Sequence, residues 1–168
     1  MTNPVQRARE FAIQAHGSQA YGERTYSFHL DAVASILEPH GITAQIIGYL
    51  HDTIEDTSVA PEQIEAEFGP FVAGCVSILT DEPGPDRKAR KVLTYAKMAA
   101  IAPEYALALT VKAADRLANI RACVADSNAA KLEKYRGEHA ALRSAAFRPG
   151  DCDGLWEEMD ALLSANPA

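Results

Sequence analysis

Apolar residues recur every three to four positions along almost the whole chain, and no stretch shows the two-residue alternation of a half-buried strand. A chain patterned this way can bury its apolar stripes only by packing helices on helices. Asn3 and Pro4 supply a cap and a first-turn residue for a helix to about Gln19, with Val5, Ala8, Ala12 and Ala15 inward and Phe11 beside them. A second helix is expected from Phe28 to Leu37, stopping near Pro39 and Gly41. Thr43 is placed to cap a third, continuous through AQIIGYLHDTIED. Ser58 or Ala60 precedes Pro61 at the start of a short helix that Gly69 ends, and Phe71 to Leu79 forms another. DEPGPD, residues 81–86, is the clearest loop. Helices then cover about 87–101, 103–125, 128–146 and 154–164. The expectation is an all-α, compact helical bundle of about seven to nine helices, with residues 1–168 as a single domain.

Composition narrows the function. The formal net charge of −7 disfavours binding to DNA or RNA phosphates, so an anionic substrate needs local cations. No run approaches the ~18 apolar residues of a membrane span, and MTNPVQRAREF has no apolar signal-peptide core, which leaves the cytoplasm as the expected location. Cys75, Cys123 and Cys152 are odd in number and widely spaced, which reads as reduced, buried thiols.

The chemistry gathers on three segments. His51-Asp52-Thr53-Ile54-Glu55-Asp56 follows the apolar residues Ile46, Ile47 and Leu50. On a continuous helix His51 shares a face with Glu55, and Asp52 with Asp56. Such clustered negative charge is unfavourable unless a cation or a polar environment offsets it; a solvated acidic helix end is the alternative. His29 opens the amphipathic stretch FHLDAVASIL, and Asp115 lies in the apolar stretch VKAADRLANI. A carboxylate there needs a partner: Arg116 or Lys112 as an ion pair, or a metal. Asn119, one turn on, shares its face and suits a substrate hydroxyl. Two imidazoles and two carboxylates suit manganese, iron or zinc, and suit calcium less.

Taken together, His29, His51-Asp52 twenty-two residues later, and Asp115 in a late helix resemble the HD-domain metal phosphohydrolases. LHDTIEDT (50–57), EFG (67–69), DRK (86–88) and VKAADRLANIR (111–121), with the opening REFAIQAHGSQ, are similar to the hydrolase domain of the RelA/SpoT family and to the single-domain small alarmone hydrolases. The resemblance runs from about residue 8 to 147 and implies the HD-type all-α fold, with the helix at about 154–164 beyond it. It implies removal of the 3′-pyrophosphate from ppGpp and pppGpp with a divalent metal, manganese first. By position it makes His29, His51, Asp52 and Asp115 the metal ligands and Glu55 and Asp56 the catalytic acidic pair. Lys112, Asn119 and Tyr135 match substrate-contacting positions. The family carries an Arg-Lys pair before a Pro-Tyr-x-x-His-Pro segment; here residues 19–30 read QAYGERTYSFHL, so the pair is absent and Leu30 replaces the proline. Tyr21 and Arg24 are the residues left to meet a base and a phosphate there.

The expected reaction is attack by metal-activated water on a phosphorus, with Glu55 and Asp56 dividing the proton work. No synthetase or regulatory domain fits in the remaining residues, so a hydrolase alone is expected. The competing readings are an HD phosphohydrolase acting on a deoxynucleotide, a cyclic nucleotide or phosphorylated NAD, and a non-catalytic nucleotide-binding module. The partner is a small-molecule nucleotide rather than nucleic acid or membrane. Helix 128–146 carries a mixed charged face that reads as solvated, with His139, like His16 and His40, surface or structural. Leu155 and Trp156 have two uses open to them, covering the core or a contact in a homo-oligomer.

Overall fold

Asn3 takes the cap position expected of it. Its side chain accepts from the Val5 N–H at 2.9 Å, and helix α1 runs from Pro4 to His16. The computed structural model describes residues 3–165. α1 ends before Gln19, because Gly17 takes a left-handed φ of +54° and turns the chain. A small antiparallel hairpin follows, β1 (Ala20–Tyr21) and β2 (Arg24–Thr25), paired Ala20 to Thr25 and Tyr21 to Arg24. Strands of two residues are too short to leave a periodic trace in the sequence.

Helix α2 spans Tyr26–Ile36, and a 3₁₀ turn at Glu38–His40 leads into α3, Ile42–Leu50. Gly41, not Thr43, occupies the cap of α3, in a left-handed φ of +94°. The continuous third helix is broken at His51-Asp52, and a separate turn, α4, covers Thr53–Asp56. Side chains cause the break by taking carbonyls at the end of α3. His51 Nδ1–H donates to Gly48 O at 2.7 Å and Thr53 Oγ1–H to Leu50 O at 2.7 Å. Asp52 settles at φ −101°, ψ 0°, between helical and extended backbone.

α5 (Pro61–Phe68) and α6 (Pro70–Leu79) follow, then the expected loop, α7 (Arg87–Ala99), α8 (Ala106–Ala125), α9 (Ala129–Ala146) and α10 (Asp153–Ser164). Residues 103–105 form a 3₁₀ turn rather than the start of α8. Nine helices of eight or more residues therefore stand among the described residues, and the fold is all-α.

α8 is the central element. It packs on α2, α3, α6, α9 and α10, and Val111, Ala114, Leu117 and Ile120 are buried. The small residues Ala8 and Ala12 let α1 lie close on α3. At Gly48 a Cβ would stand 2.6 Å from Leu37 Cδ1, so α2 and α3 meet there without room for a methyl. Trp156 is fully buried against the core, which decides its use; Leu155 is only partly covered. Burying a side chain of that size contributes about 1.5–3 kcal/mol. The three cysteines are buried and unpaired. No helix of the described residues is long and apolar enough to cross a membrane.

Candidate active site

The tight α2–α3 contact brings two imidazoles together edge to face, with 63° between their planes. His29 comes from α2 and His51 from the end of α3; each is 2% exposed, and their Nε2 atoms lie 3.4 Å apart. A carbonyl only accepts, so the Gly48 contact puts a proton on His51 Nδ1 and turns Nε2 toward its neighbours. The break after α3 swings Asp52 into the same space, with Oδ2 2.9 Å from His51 Nε2 and 3.8 Å from His29 Nε2. One donor atom from each of His29, His51 and Asp52 lies within 4.8 Å of the others, so these three could hold a metal ion.

Asp115 approaches from α8. Its Oδ1 lies 3.2 Å from His29 Nε2 and 3.5 Å from His51 Nε2, while Oδ2 pairs with Lys112 Nζ at 2.9 Å. The ion pair and the imidazole cluster, weighed as alternatives in the sequence, thus coexist on two oxygens of one carboxylate. Asn119 Nδ2 donates to Asp115 Oδ1 at 2.8 Å, and Asn119 Oδ1 accepts from the Tyr21 hydroxyl at 2.8 Å.

The charges explain the local titration. Burial alone would lower the His51 pKa, but Asp52 and Asp115 outweigh it and hold it well above the usual histidine value. Lost hydration pushes Asp52 up, yet His51 holds it below the usual carboxylate range. Burial likewise works against ionised Asp115, and Lys112 with the two imidazoles keeps it well below that range. Positive charge is favoured between these carboxylates, and a mixed nitrogen and oxygen donor set fits a divalent ion of intermediate hardness.

Glu55 and Asp56 part company. Glu55 no longer shares a helix with His51; its Oε2 accepts from the Asp81 N–H at 2.8 Å, and burial, helped by the charges of Asp81 and Asp52, raises its pKa. Asp56 Oδ2 accepts from Gln19 Nε2 at 2.9 Å and lies 3.3 Å from the Tyr26 hydroxyl, which donates to Asp52 Oδ2.

A cleft of about 250 Å³ opens over the cluster. Tyr21, His29, Asp52, Glu55, Asp56, Lys112, Asp115, Asn119 and Tyr135 all line it, and His51 stands behind Asp52. Arg24 does not reach it: its guanidinium is paired with Asp126 through two hydrogen bonds of 2.8 Å and lies over the Phe28 ring. Tyr21 has the His29 ring stacked on it at 4.9 Å and 10°, and Lys131 Nζ lies 5.0 Å from its centroid.

Sequence reasoning missed Tyr26 and the cations Arg87, Lys91, Arg116 and Lys131, which also line the cleft. A signal was there. Arg87 and Lys91 on α7, Lys112 and Arg116 on α8, and Lys131 and Tyr135 on α9 are each four residues apart, so each pair presents one face. Three of these cations are already partly neutralised: Lys91 by Asp81 at 2.8 Å, Arg87 by Glu138 through hydrogen bonds of 2.8 and 3.2 Å, and Arg116 by the same Glu138 at 2.9 Å in an ion pair outside hydrogen-bond geometry. His16 is buried rather than on the surface, and His139 is held by Asp160 at 2.6 Å.

Comparison with known proteins places this arrangement. The model of the HD domain family matches residues 8–140. The GTP pyrophosphokinase rsh of Brucella ovis is 37% identical over 123 residues, covering 70% of this chain and 16% of that protein. The guanosine-3′,5′-bis(diphosphate) 3′-pyrophosphohydrolase of Drosophila melanogaster is 34% identical over 103 residues, covering 59% of this chain and 56% of that one. The chain therefore spans only part of the length of these relatives. A solved structure of a metazoan orthologue of SpoT that hydrolyzes ppGpp superposes with a TM-score of 0.79 at 23% identity, covering 96% of this chain and 94% of that one, which bears out the fold.

Proposed function

The chain belongs to the HD domain family, and on that premise we propose that it is a manganese-dependent phosphohydrolase that removes the 3′-pyrophosphate from ppGpp and pppGpp. One observation carries this reading: His29, His51, Asp52 and Asp115 converge at the floor of a cleft whose walls hold Glu55, Asp56 and five cations. We assign those four as the metal ligands. When bound, the ion supplies Lewis-acid activation of water and of a phosphoryl oxygen.

The other roles fall to the chain's own groups. Lys112, Arg87, Lys91, Arg116 and Lys131 offset the charge of a polyphosphate entering an otherwise acidic molecule, with Glu138 shared by the two arginines. Glu55 and Asp56 lie on the cleft wall beside Asp52, where one carboxylate orients or deprotonates water and the other protonates the departing 3′-oxygen. Asn119 and Tyr135, which line the cleft, are assigned to the sugar and phosphates. The similarity to proteins named for guanosine 3′-pyrophosphohydrolysis supports the substrate.

The test is release of pyrophosphate from ppGpp by the manganese-loaded protein. Asp52→Ala is expected to lose both metal binding and turnover; Glu55→Ala is expected to keep the metal and lose most turnover. Full turnover by Asp52→Ala in chelator refutes the reading. A second reading has its own observation. Tyr21 is stacked on His29 with its hydroxyl bound to Asn119, and Arg24 is tied to Asp126, so both are already engaged within the chain. That favours another phosphorylated nucleotide in the same cleft, and a panel of deoxynucleotides, cyclic nucleotides and phosphorylated NAD separates the two.

A further inference from the structure

Asp56 ends a helix of four residues, too short to hold a side chain still by its own backbone. What holds it comes from elsewhere in the chain. Gln19 sits between α1 and α2, its N–H donating to His16 O at 3.0 Å and its carbonyl accepting from the Tyr26 N–H at 3.1 Å. Its side chain reaches two ways. Oε1 lies 2.8 Å from His16 Nδ1, and Nε2 donates to Asp56 Oδ2 at 2.9 Å. With the amide nitrogen donating to Asp56 Oδ2, the amide oxygen is left to accept a hydrogen bond from His16 Nδ1–H.

Tyr26 completes the frame. Its ring is buried and stacked on His16, with centroids 4.3 Å apart and 29° between planes. That packing delivers the hydroxyl to a point between two carboxylates, donating to Asp52 Oδ2 and lying 3.3 Å from Asp56 Oδ2. A single hydroxyl therefore joins a group assigned to the metal and a group assigned to the chemistry.

We propose that Tyr26 and Gln19, backed by His16, are positioning residues that fix the Asp52 and Asp56 carboxylates relative to each other. The proposal rests on the roles assigned above to Asp52 and Asp56. Displacing a reacting group by about 1 Å can cost a hundredfold in rate. Loss of a hydrogen bond to a metal-ligating carboxylate typically costs about 10–100-fold in metal affinity.

Two variants test it. Tyr26→Phe keeps the ring packing and removes the hydroxyl. Manganese affinity, read by calorimetric titration, is expected to weaken about 10–100-fold while the thermal melt in chelator stays near wild type. Gln19→Leu is expected to leave manganese affinity within about twofold and KM unchanged while kcat for pyrophosphate release falls about tenfold, within the range of acid–base assistance. In a crystal structure of Gln19→Leu, the Asp56 carboxylate is expected to have left the Tyr26 hydroxyl. Wild-type manganese affinity in Tyr26→Phe overturns the role of Tyr26. An unmoved Asp56 in Gln19→Leu overturns that of Gln19. If the wild-type protein binds manganese but releases no pyrophosphate from ppGpp, the function proposed above fails, while the titration and the crystal structure still decide this inference.

Discussion

Asp115→Asn separates two duties that one carboxylate carries. One oxygen holds the buried Lys112 ammonium at 2.9 Å; the other faces His29 and His51 at 3.2 and 3.5 Å. The amide keeps the volume and removes the charge. Lys112 is then left beside Arg116 and Lys91 without its nearest anion. Removing one partner of a buried ion pair costs about 3–5 kcal/mol; the amide oxygen can still accept from Lys112, which favours the lower end, about 3 kcal/mol. For a chain of this length each kcal/mol moves the melting temperature by about 2–4 °C, so a fall of about 6–12 °C is expected in chelator. The second duty is read by adding manganese. At a hundredfold excess over its Kd, a bound ion adds about 2.7 kcal/mol of stability, or about 5–11 °C, to the wild type. Asp115→Asn should gain far less. Scanning calorimetry with chelator and with manganese measures both. The double variant Lys112→Met/Asp115→Asn is expected to recover most of the loss in chelator and none of the manganese shift, because it removes the stranded charge and leaves the ligand set broken. Full stability of Asp115→Asn in chelator together with a wild-type manganese shift refutes both assignments.

Gly48→Ala is expected to lower stability by about 1–2 kcal/mol, because overpacking against Leu37 outweighs the ~1 kcal/mol that alanine gains over glycine in a helix. A melt as high as wild type would show that α2 and α3 can part. Asp31 gives a pH signature. Hydrogen bonds from Arg9 hold its carboxyl below the usual range, against a smaller opposing effect of burial and with help from the Tyr49 hydroxyl. A depressed carboxylate contributes stability that is present above its unfolded value near ~3.9 and is lost as pH falls through its folded one. The pair is partly exposed, so about 0.5 kcal/mol is at stake. The melting gap between wild type and Asp31→Asn should therefore hold down to about pH 4 and narrow below it, and a gap constant through that lower range contradicts the assignment.

The bundle was legible because period and burial are the same fact in a helix: Val111, Leu117 and Ile120 are apolar at the spacing that α8 buries. The break after Leu50 was not, since neither glycine nor proline marks it. His51 and Thr53 make it by bonding the backbone carbonyls of Gly48 and Leu50, and sequence alone does not say where a histidine will send its Nδ1 proton. That break has a functional consequence. On an unbroken helix Asp52 would stand about 100° further round than His51, and their donor atoms would diverge. The kink brings Asp52 Oδ2 to 2.9 Å from His51 Nε2 instead. The cations were missed for a different reason. A basic helix face looks solvated until the facing helix is known, and Arg87, Lys91 and Lys131 share a cleft only because α7 and α8 both pack against α9. Residue types announced the site, while its geometry depends on a hydrogen bond that ends one helix and on the contacts of three others. Substitutions at Gly48, whose carbonyl seats His51, should therefore change manganese binding as well as stability.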